Sequence, residues 1–258
     1  MVFSYPSVTE WSTHLPRGSR PSVELLRRIA KLPRLVCAIA IFVFAATLCA
    51  NAAPFGVTHF YDFNGNYNDA FGGPDITPNG GNLSTFGFYT FGANQGLWLP
   101  QSVFNTSSWA IEILGNFTAE NGTWKKLADF SGLASDDGWY FGPGADMEMW
   151  DVAFGPTGQL QVGTPFIIDL FRDGATQTVS GYFNGTLQWS FVDNTNEYVI
   201  NPNGVYFFID DFATGQGEAA PGWVDYVAIG APVPEPSSLL LLGSGLSGVI
   251  FTIRRKLS

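Results

Sequence analysis

The chain has 258 residues, of which 46% are hydrophobic, 16% are aromatic and only 13% are charged. That charged fraction is about half the usual share for a soluble domain. The composition excludes coiled coils, helical bundles and disordered acidic tails, all of which need more charge. With 30 Gly and 16 Pro, it favours short aromatic strands joined by tight turns.

The net charge of −10 is unevenly distributed along the chain. Residues 53–231 contain only three basic residues against 19 acidic ones, which leaves this stretch with a net charge of −16. A surface of this sign repels phosphate, so we exclude nucleic acid as a partner of this region.

A secretory signal peptide with an extended basic leader is predicted at residues 1–52. Basic residues precede the apolar run Leu35–Leu48, and the small residues Ala50 and Ala52 follow it. A basic segment, a short apolar core and an A-x-A site are typical of a cleaved signal helix. The alternative is a membrane anchor, but this run is shorter than the ~20 residues that a span needs. We therefore expect signal peptidase to cut after Ala52.

Residues 53–231 are long enough for one sizeable core, and they alternate strand-length apolar runs with Gly, Asn and Pro turns. The runs predicted as strands are Thr58–Phe63, Leu83–Phe91, Trp109–Phe117, Lys125–Phe130, Gly138–Phe141, Met147–Val152, Phe166–Arg172, Thr178–Phe183, Leu187–Val192, Val205–Asp210 and Trp223–Ile229. Since no segment has a helical pattern, the fold class is all-β, an antiparallel two-sheet sandwich. The pair Asn184-Gly185 between two alternating strands predicts a type I′ hairpin.

The segment at 167–191, IIDLFRDG…TVSGYFNGTLQWSF, resembles the core meander of laminin-G-like, concanavalin-A-like sandwiches. The sequences YDFNGN at 61–66 and WVDYVAI at 223–229 are similar to the first and last strands of that family. The resemblance spans residues 57–230 and implies a jelly roll of two curved sheets with a carbohydrate-binding or adhesive role. It is also consistent with a calcium ion at a rim of the sandwich, although no ligand set can be matched.

The C-terminal segment 232–258 combines a Pro-rich tripeptide, an apolar run and a basic end. These parts are Pro234, Glu235 and Pro236, then Leu239–Ile253, then Arg254, Arg255 and Lys256. In this order they resemble the PEP-CTERM sorting signal of Gram-negative bacteria, which implies recognition by an exosortase that cuts near the tripeptide. As a helix the apolar run spans roughly 22 Å, and the basic end would hold it on the cytoplasmic side. A permanent C-terminal anchor is the alternative.

These two signals predict a route for the protein. We expect it to be exported, anchored transiently in the inner membrane by a transmembrane sorting helix, and then moved to the outer cell surface or the extracellular matrix.

A calcium site is predicted at Asp210 and Asp211, where acids bracket a loop rich in Gly and Ala. Hard cations take several oxygen ligands, and loop carboxylates can supply them. The alternative is that these are solvated acids of an acidic protein. The segment Asp62–Asp69 superficially resembles a calcium loop, but its Gly and acid spacing differs from the EF-hand, so we predict an Asn/Asp turn there.

A possible catalytic strand contains Asp146, Glu148 and Asp151. Retaining glycosidases on related sandwiches align carboxylates along one strand with the pattern E-x-D-x-x-E, whereas this chain has D-x-E-x-x-D. Asp146 and Glu148 would share a face at period two, but each outer Asp is one methylene shorter than the Glu of that pattern. The alternative is an exposed, non-catalytic strand face.

Trp124 and Trp139 are the best candidates for exposed aromatic side chains that contact a sugar ring, because each follows a turn. The predicted mature chain has one histidine, His59, and no cysteine, which excludes zinc sites and Ser-His or Cys-His nucleophiles. We therefore expect non-catalytic binding of extracellular polysaccharide, or adhesion. The alternatives are a glycoside hydrolase that uses the Asp146 strand and a structural biofilm protein without a discrete ligand.

Overall fold

The computed structural model describes residues 55–118 and 124–232, which form two antiparallel β-sheets. The predicted all-β fold class is confirmed. The predicted signal helix and sorting helix lie outside the described residues. Within the described ranges, no helix is long and apolar enough to cross a membrane.

The first sheet contains eight strands. Its strands are β1 (Phe55–Tyr61), β3 (Asn82–Leu83), β4 (Tyr89–Phe91), β6 (Trp109–Phe117), β11 (Phe166–Asp173), β12 (Thr178–Phe183), β13 (Thr186–Val192) and β15 (Gly222–Pro232). Their order is β13-β12-β11-β6-β15-β4-β3, and β1 also pairs with β15.

The second sheet contains seven strands in the order β10-β9-β8-β7-β14-β5-β2. They are β2 (Thr77–Asn79), β5 (Gly96–Leu99), β7 (Lys125–Asp129), β8 (Gly138–Phe141), β9 (Met147–Trp150), β10 (Ala153–Phe154) and β14 (Val205–Phe207).

The last strand, β15, is central to the first sheet. One edge of β15 pairs with β6, while its other edge pairs first with β4 and then with β1. In the β1 pairing, Phe55 lies opposite Pro232, so the two ends of the described domain meet on adjacent strands.

Alternating side chains from the two sheets build one aromatic core between them. Trp109 on β6 and Trp139 on β8 are both 0% exposed. The ring of Trp109 stacks on Phe130 at 5.3 Å, and its indole N–H donates to the carbonyl of Tyr198 at 2.9 Å. Trp109 therefore has a partner for its polar atom as well as for its ring face, whereas the indole N–H of Trp139 has no hydrogen-bond partner among the described residues.

Most of the predicted runs contain one strand each, with matching bounds for β6, β8 and β12. The run Leu83–Phe91 is instead split into β3 and β4 by a turn, and Val205–Asp210 ends as a strand at Phe207. Strands β2, β5 and β10 are absent from the predicted runs. These strands are at most four residues long, which is too short to show an alternating pattern.

Two turn predictions are confirmed. Asn184 and Gly185 have φ values of 48° and 74°, as a type I′ hairpin requires, and they join Phe183 to its partner Thr186. In the segment Asp62–Asp69, the side chains of Asp62 and Asn66 each accept the backbone N–H two residues ahead.

The positive φ at Gly185 in this hairpin can be tested directly by substitution. Gly185→Ala should destabilise the domain by about 1 kcal/mol, because a residue with a Cβ is sterically strained at a positive φ. The melting midpoint should fall by roughly 2–4 °C. Gly217→Ala is the matched control, since Gly217 lies outside the left-handed region and an added Cβ would meet nothing nearer than 3.7 Å. Equal melting midpoints for the two variants would contradict the turn assignment.

Candidate functional site

The predicted carboxyl strand lies on the outer face of the second sheet. Met147 and Met149 of β9 point into the core and are 0% exposed, so Asp146 and Glu148 project to the opposite face. This confirms that the two acids share a face. They are nevertheless buried, at 7% and 3% exposure, whereas Asp151 is exposed beyond the end of the strand.

Two glycines make room for the buried carboxyl groups. A Cβ at Gly142 would lie 1.7 Å from Oε1 of Glu148, and a Cβ at Gly144 would lie 2.4 Å from Oδ1 of Asp146. Any larger residue at these positions would displace the carboxyl groups. The Gly142-Pro143-Gly144 turn therefore belongs to the site, and its two glycines are the sequence signal that could have located it.

The environment favours the neutral form of Glu148. Burial first, and then a hydrogen bond and the charge of Asp146, raise the pKa of Glu148 to about 8. Among the described residues, Oε2 of Glu148 has no hydrogen-bond partner. At neutral pH the raised pKa keeps a proton on Glu148.

The cross-strand row through Glu148 continues to Tyr140 on β8 and then to a buried cation, Lys126 on β7. Its ammonium group donates to Oδ2 of Asp211 at 3.0 Å, to the carbonyl of Asp137 at 2.6 Å and to the hydroxyl of Tyr140. It also lies 3.4 Å from Oδ2 of Asp129. One side chain thus joins β7 and β8 to two loops that cover the outer face.

The predicted calcium ligands lie beside this network. Asp211 accepts from Lys126 and Tyr140 through Oδ2, and from backbone N–H groups of its own loop through Oδ1. Asp210 accepts from Thr214 and Glu218 through Oδ2, which leaves only its Oδ1 without a partner among the described residues.

These contacts bear on the calcium prediction. In residues 55–118 and 124–232, no group of three or more acidic, His or Cys side chains is arranged to hold a metal ion. Calcium at Asp210 and Asp211 stays a prediction, and the bound ammonium of Lys126 weakens it because a second cation would be repelled.

An aromatic cluster borders the carboxyl pair. Trp124 contacts Trp150 at 4.6 Å between ring centroids and Tyr140 at 5.7 Å, and Trp150 contacts Phe154 at 6.0 Å. Trp124 and Trp150 are partly exposed, and Phe154 is 52% exposed. We call Trp124, Trp150 and Phe154 the aromatic rim.

Of the two tryptophans predicted to be exposed, the structure contradicts Trp139 and agrees with Trp124. The expectation that Trp139 is exposed is wrong: it points into the core at 0% exposure, because Tyr140 takes the outward position on β8. Trp124 is partly exposed as expected. Trp150 was missed, although its period-two spacing from Glu148 could have placed it on the outer face.

The C-terminal segment matches a known sorting signal. Residues 232–256 match the family model of the PEP-CTERM protein-sorting motif. This confirms the predicted motif and implies an exported protein that an exosortase processes at the membrane. None of the curated proteins matches the chain in sequence.

The fold is similar to that of several solved structures. A Trypanosoma rangeli sialidase in complex with 2,3-difluorosialic acid has a TM-score of 0.56 at 12% identity, over 69% of this chain and 31% of that one. Domain 4 of AbnA, a GH43 extracellular arabinanase from Geobacillus stearothermophilus in complex with arabinotriose, has a TM-score of 0.50 at 15% identity, over 72% and 97%. The binding domain of botulinum neurotoxin serotype D has a TM-score of 0.51 at 11% identity, over 73% and 51%. This chain thus spans about a third of the sialidase, and the likeness shows the β-sandwich fold.

The buried cation gives a stability prediction. Lys126→Met should destabilise the domain by about 3–5 kcal/mol, because it leaves the carboxylates of Asp129 and Asp211 buried without their counter-charge. A melting curve should show a midpoint lower by roughly 10 °C. The double variant with Asp211→Asn removes one of the stranded charges and should recover part of the loss. A double variant no more stable than the single one would contradict the role of the ion pair.

A pH dependence follows from Glu148. Its pKa is about 8 in the folded protein against a usual 4.5, so its contribution to stability is full below pH 4.5 and is lost as the pH rises towards 8. Glu148→Gln cannot ionise and should remove this loss. It should be more stable than the parent at pH 8 by about 1–3 kcal/mol, since each pKa unit corresponds to about 1.4 kcal/mol, and should gain little at pH 4.5.

Thermal melts between pH 4.5 and 8.5 measure this difference. Asp151→Asn, which changes an exposed carboxylate nearby, is the control and should track the parent. A constant difference between Glu148→Gln and the parent across this range would show that Glu148 does not hold the proton.

Proposed function

We propose that this is an exported protein of the cell surface or extracellular matrix whose laminin-G-like sandwich binds neutral polysaccharide without cleaving it. The sorting motif at 232–256 supports the route of export. The observation that carries the binding proposal is the aromatic rim, where Trp124, Trp150 and Phe154 present ring surface to solvent in one contiguous group. Aromatic faces of this kind pack against the C–H groups of sugar rings.

The structural relatives give secondary support. The arabinanase domain similar to this sandwich was solved with arabinotriose, and it matches this chain over nearly its whole length. A sandwich of this type is therefore able to hold a neutral oligosaccharide. The acidic surface adds a constraint, because polyanionic polymers are repelled from it.

A glycoside hydrolase is the second candidate. It is favoured by the raised pKa of Glu148, which holds a proton near neutral pH as a general acid must. Retaining chemistry, however, places a sugar between two carboxyl groups ~5 Å apart. Here Glu148 is only 3% exposed beside the buried Asp146, and Asp151 lies outside the pair. The geometry therefore supports binding better than hydrolysis.

Binding can be tested with the exported protein on a glycan array, followed by titration of the best neutral glycan. Trp150→Ala should weaken binding at least tenfold, about 1.4 kcal/mol, because it removes the central ring of the rim. Phe71→Ala, which removes a loop ring that is 64% exposed, is the matched control and should bind as the parent does.

Each alternative has its own outcome. Release of reducing ends that is lost in Glu148→Gln would establish the hydrolase. Absence of binding to every glycan would favour a structural matrix protein without a discrete ligand. Equal losses of affinity in Trp150→Ala and Phe71→Ala would remove the aromatic rim as the site.

A further inference from the structure

A second carboxyl pair lies on the opposite side of the sandwich, on the outer face of the first sheet. Asp169 on β11 is directly opposite Glu112 on β6. The flanking residues Ile168 and Leu170 are 0% exposed in the core, so Asp169 projects outward, yet it is only 5% exposed. Glu112 beside it is partly exposed, which leaves the pair accessible from that side.

The pair has no positive partner among the described residues. Oδ1 of Asp169 is buried without a hydrogen-bond partner, and Glu112 accepts a hydrogen bond from the hydroxyl of Tyr226 at 2.8 Å. Asp225 adds further negative charge next to Tyr226. His59 pairs with Asp69, and the lysine and arginine residues of the described ranges are buried elsewhere, at 3% exposure or less: Lys125, Lys126 and Arg172. The outer face therefore presents negative charge that no cation of this domain compensates.

Aromatic rings flank the pair on both sides. The cross-strand row through Asp169 and Glu112 begins with Tyr182 on β12 and continues to the small Ala228 and then Phe60 on β1. With strands about 4.8 Å apart, this row spans roughly 19 Å from one ring to the other.

Each flanking ring is supported by a second ring. Tyr182 contacts Phe171 at 5.5 Å between centroids, and Phe60 contacts Tyr226 at 5.3 Å. The carboxyl pair of Asp169 and Glu112 thus lies between two pairs of contacting aromatic rings.

We propose that Asp169 and Glu112 bind the protonated amino group of a cationic saccharide, a glucosamine-type polymer. An ammonium group offers three donors to the carboxyl oxygens, and neighbouring aromatic rings attract its charge and pack against the faces of the sugars. The acidic exterior concentrates such a polymer near the domain. The saccharide class rests on the function proposed above, but the site is separate from the aromatic rim.

Binding should release a proton. Burial first, and then the neighbouring Glu112, raise the pKa of Asp169 well above its usual range, so Asp169 holds a proton in the free protein. An incoming ammonium group supplies the positive charge beside Asp169, which then ionises and releases that proton to the solvent. Isothermal titration in two buffers with different ionisation enthalpies counts the protons released.

The experiment compares a glucosamine hexamer with the N-acetylglucosamine hexamer on the full exported protein at about pH 5.5, where the glucosamine amino groups are already protonated. We expect the glucosamine hexamer to bind at least tenfold more tightly, with release of about one proton. Asp169→Asn should lower this affinity at least tenfold, and so should Glu112→Gln, which changes a partly exposed position and tests the site if the first variant does not fold. Asp151→Asn, which removes the same charge from the other sheet, should change it less than twofold.

Three results would overturn the proposal: equal affinity for the two hexamers, an equal loss in Asp151→Asn, or no proton release. If a lysine hexapeptide competed for the site as well as the glucosamine hexamer does, the site would be one for basic peptides. That result would also overturn the saccharide assignment. Failure of the function proposed above gives a different pattern, in which neutral glycans do not bind while the glucosamine hexamer still binds in a manner dependent on Asp169.

Discussion

The architecture of the second sheet depends on one buried ammonium group. Lys126 is 0% exposed, and it simultaneously contacts Asp211, Asp129 and the carbonyl of Asp137. Asp129 is on β7 itself, whereas Asp137 and Asp211 belong to two loops, which therefore close over the outer face of the sheet together. Since each buried carboxylate is stable only with its counter-charge, the loops and the lysine require one another. The same closure shapes the surroundings of the carboxyl pair on β9.

The burial of positive side chains against carboxylates determines the electrostatic character of the described domain. Arg172 follows the same principle on the first sheet, where it donates to Asp193 at 2.9 Å and is 1% exposed. The positive side chains are paired inside the domain, so the exposed acids give its surface a negative charge. Where two carboxyl groups meet without a cation, at Glu148 or Asp169, the protein retains a proton instead. Of these two ways of burying acids, only the second leaves groups that can still exchange their charge.

The sequence was sufficient for the fold class because long alternating runs such as Trp109–Phe117 and a turn such as Asn184-Gly185 are local signals. It also placed Asp146 and Glu148 on one face, since that follows from period two alone. It could not show that Trp139 points inward, because a four-residue strand fits either orientation until its neighbours are known. The pairing of Lys126 with Asp211, 85 positions apart, depends on tertiary packing and has no local pattern.

The position of β15 has a mechanical consequence. The sorting motif begins at residue 232, where β15 ends, so a protein held by its C-terminal segment is loaded along the axis of this strand. β15 is an interior strand, with β6 on one edge and β1 and β4 on the other. Antiparallel hydrogen bonds run perpendicular to the strands, so a pull on Pro232 loads them in shear, many at once, instead of opening them one after another. A domain tethered in this way resists traction through a strand that has partners on both of its edges.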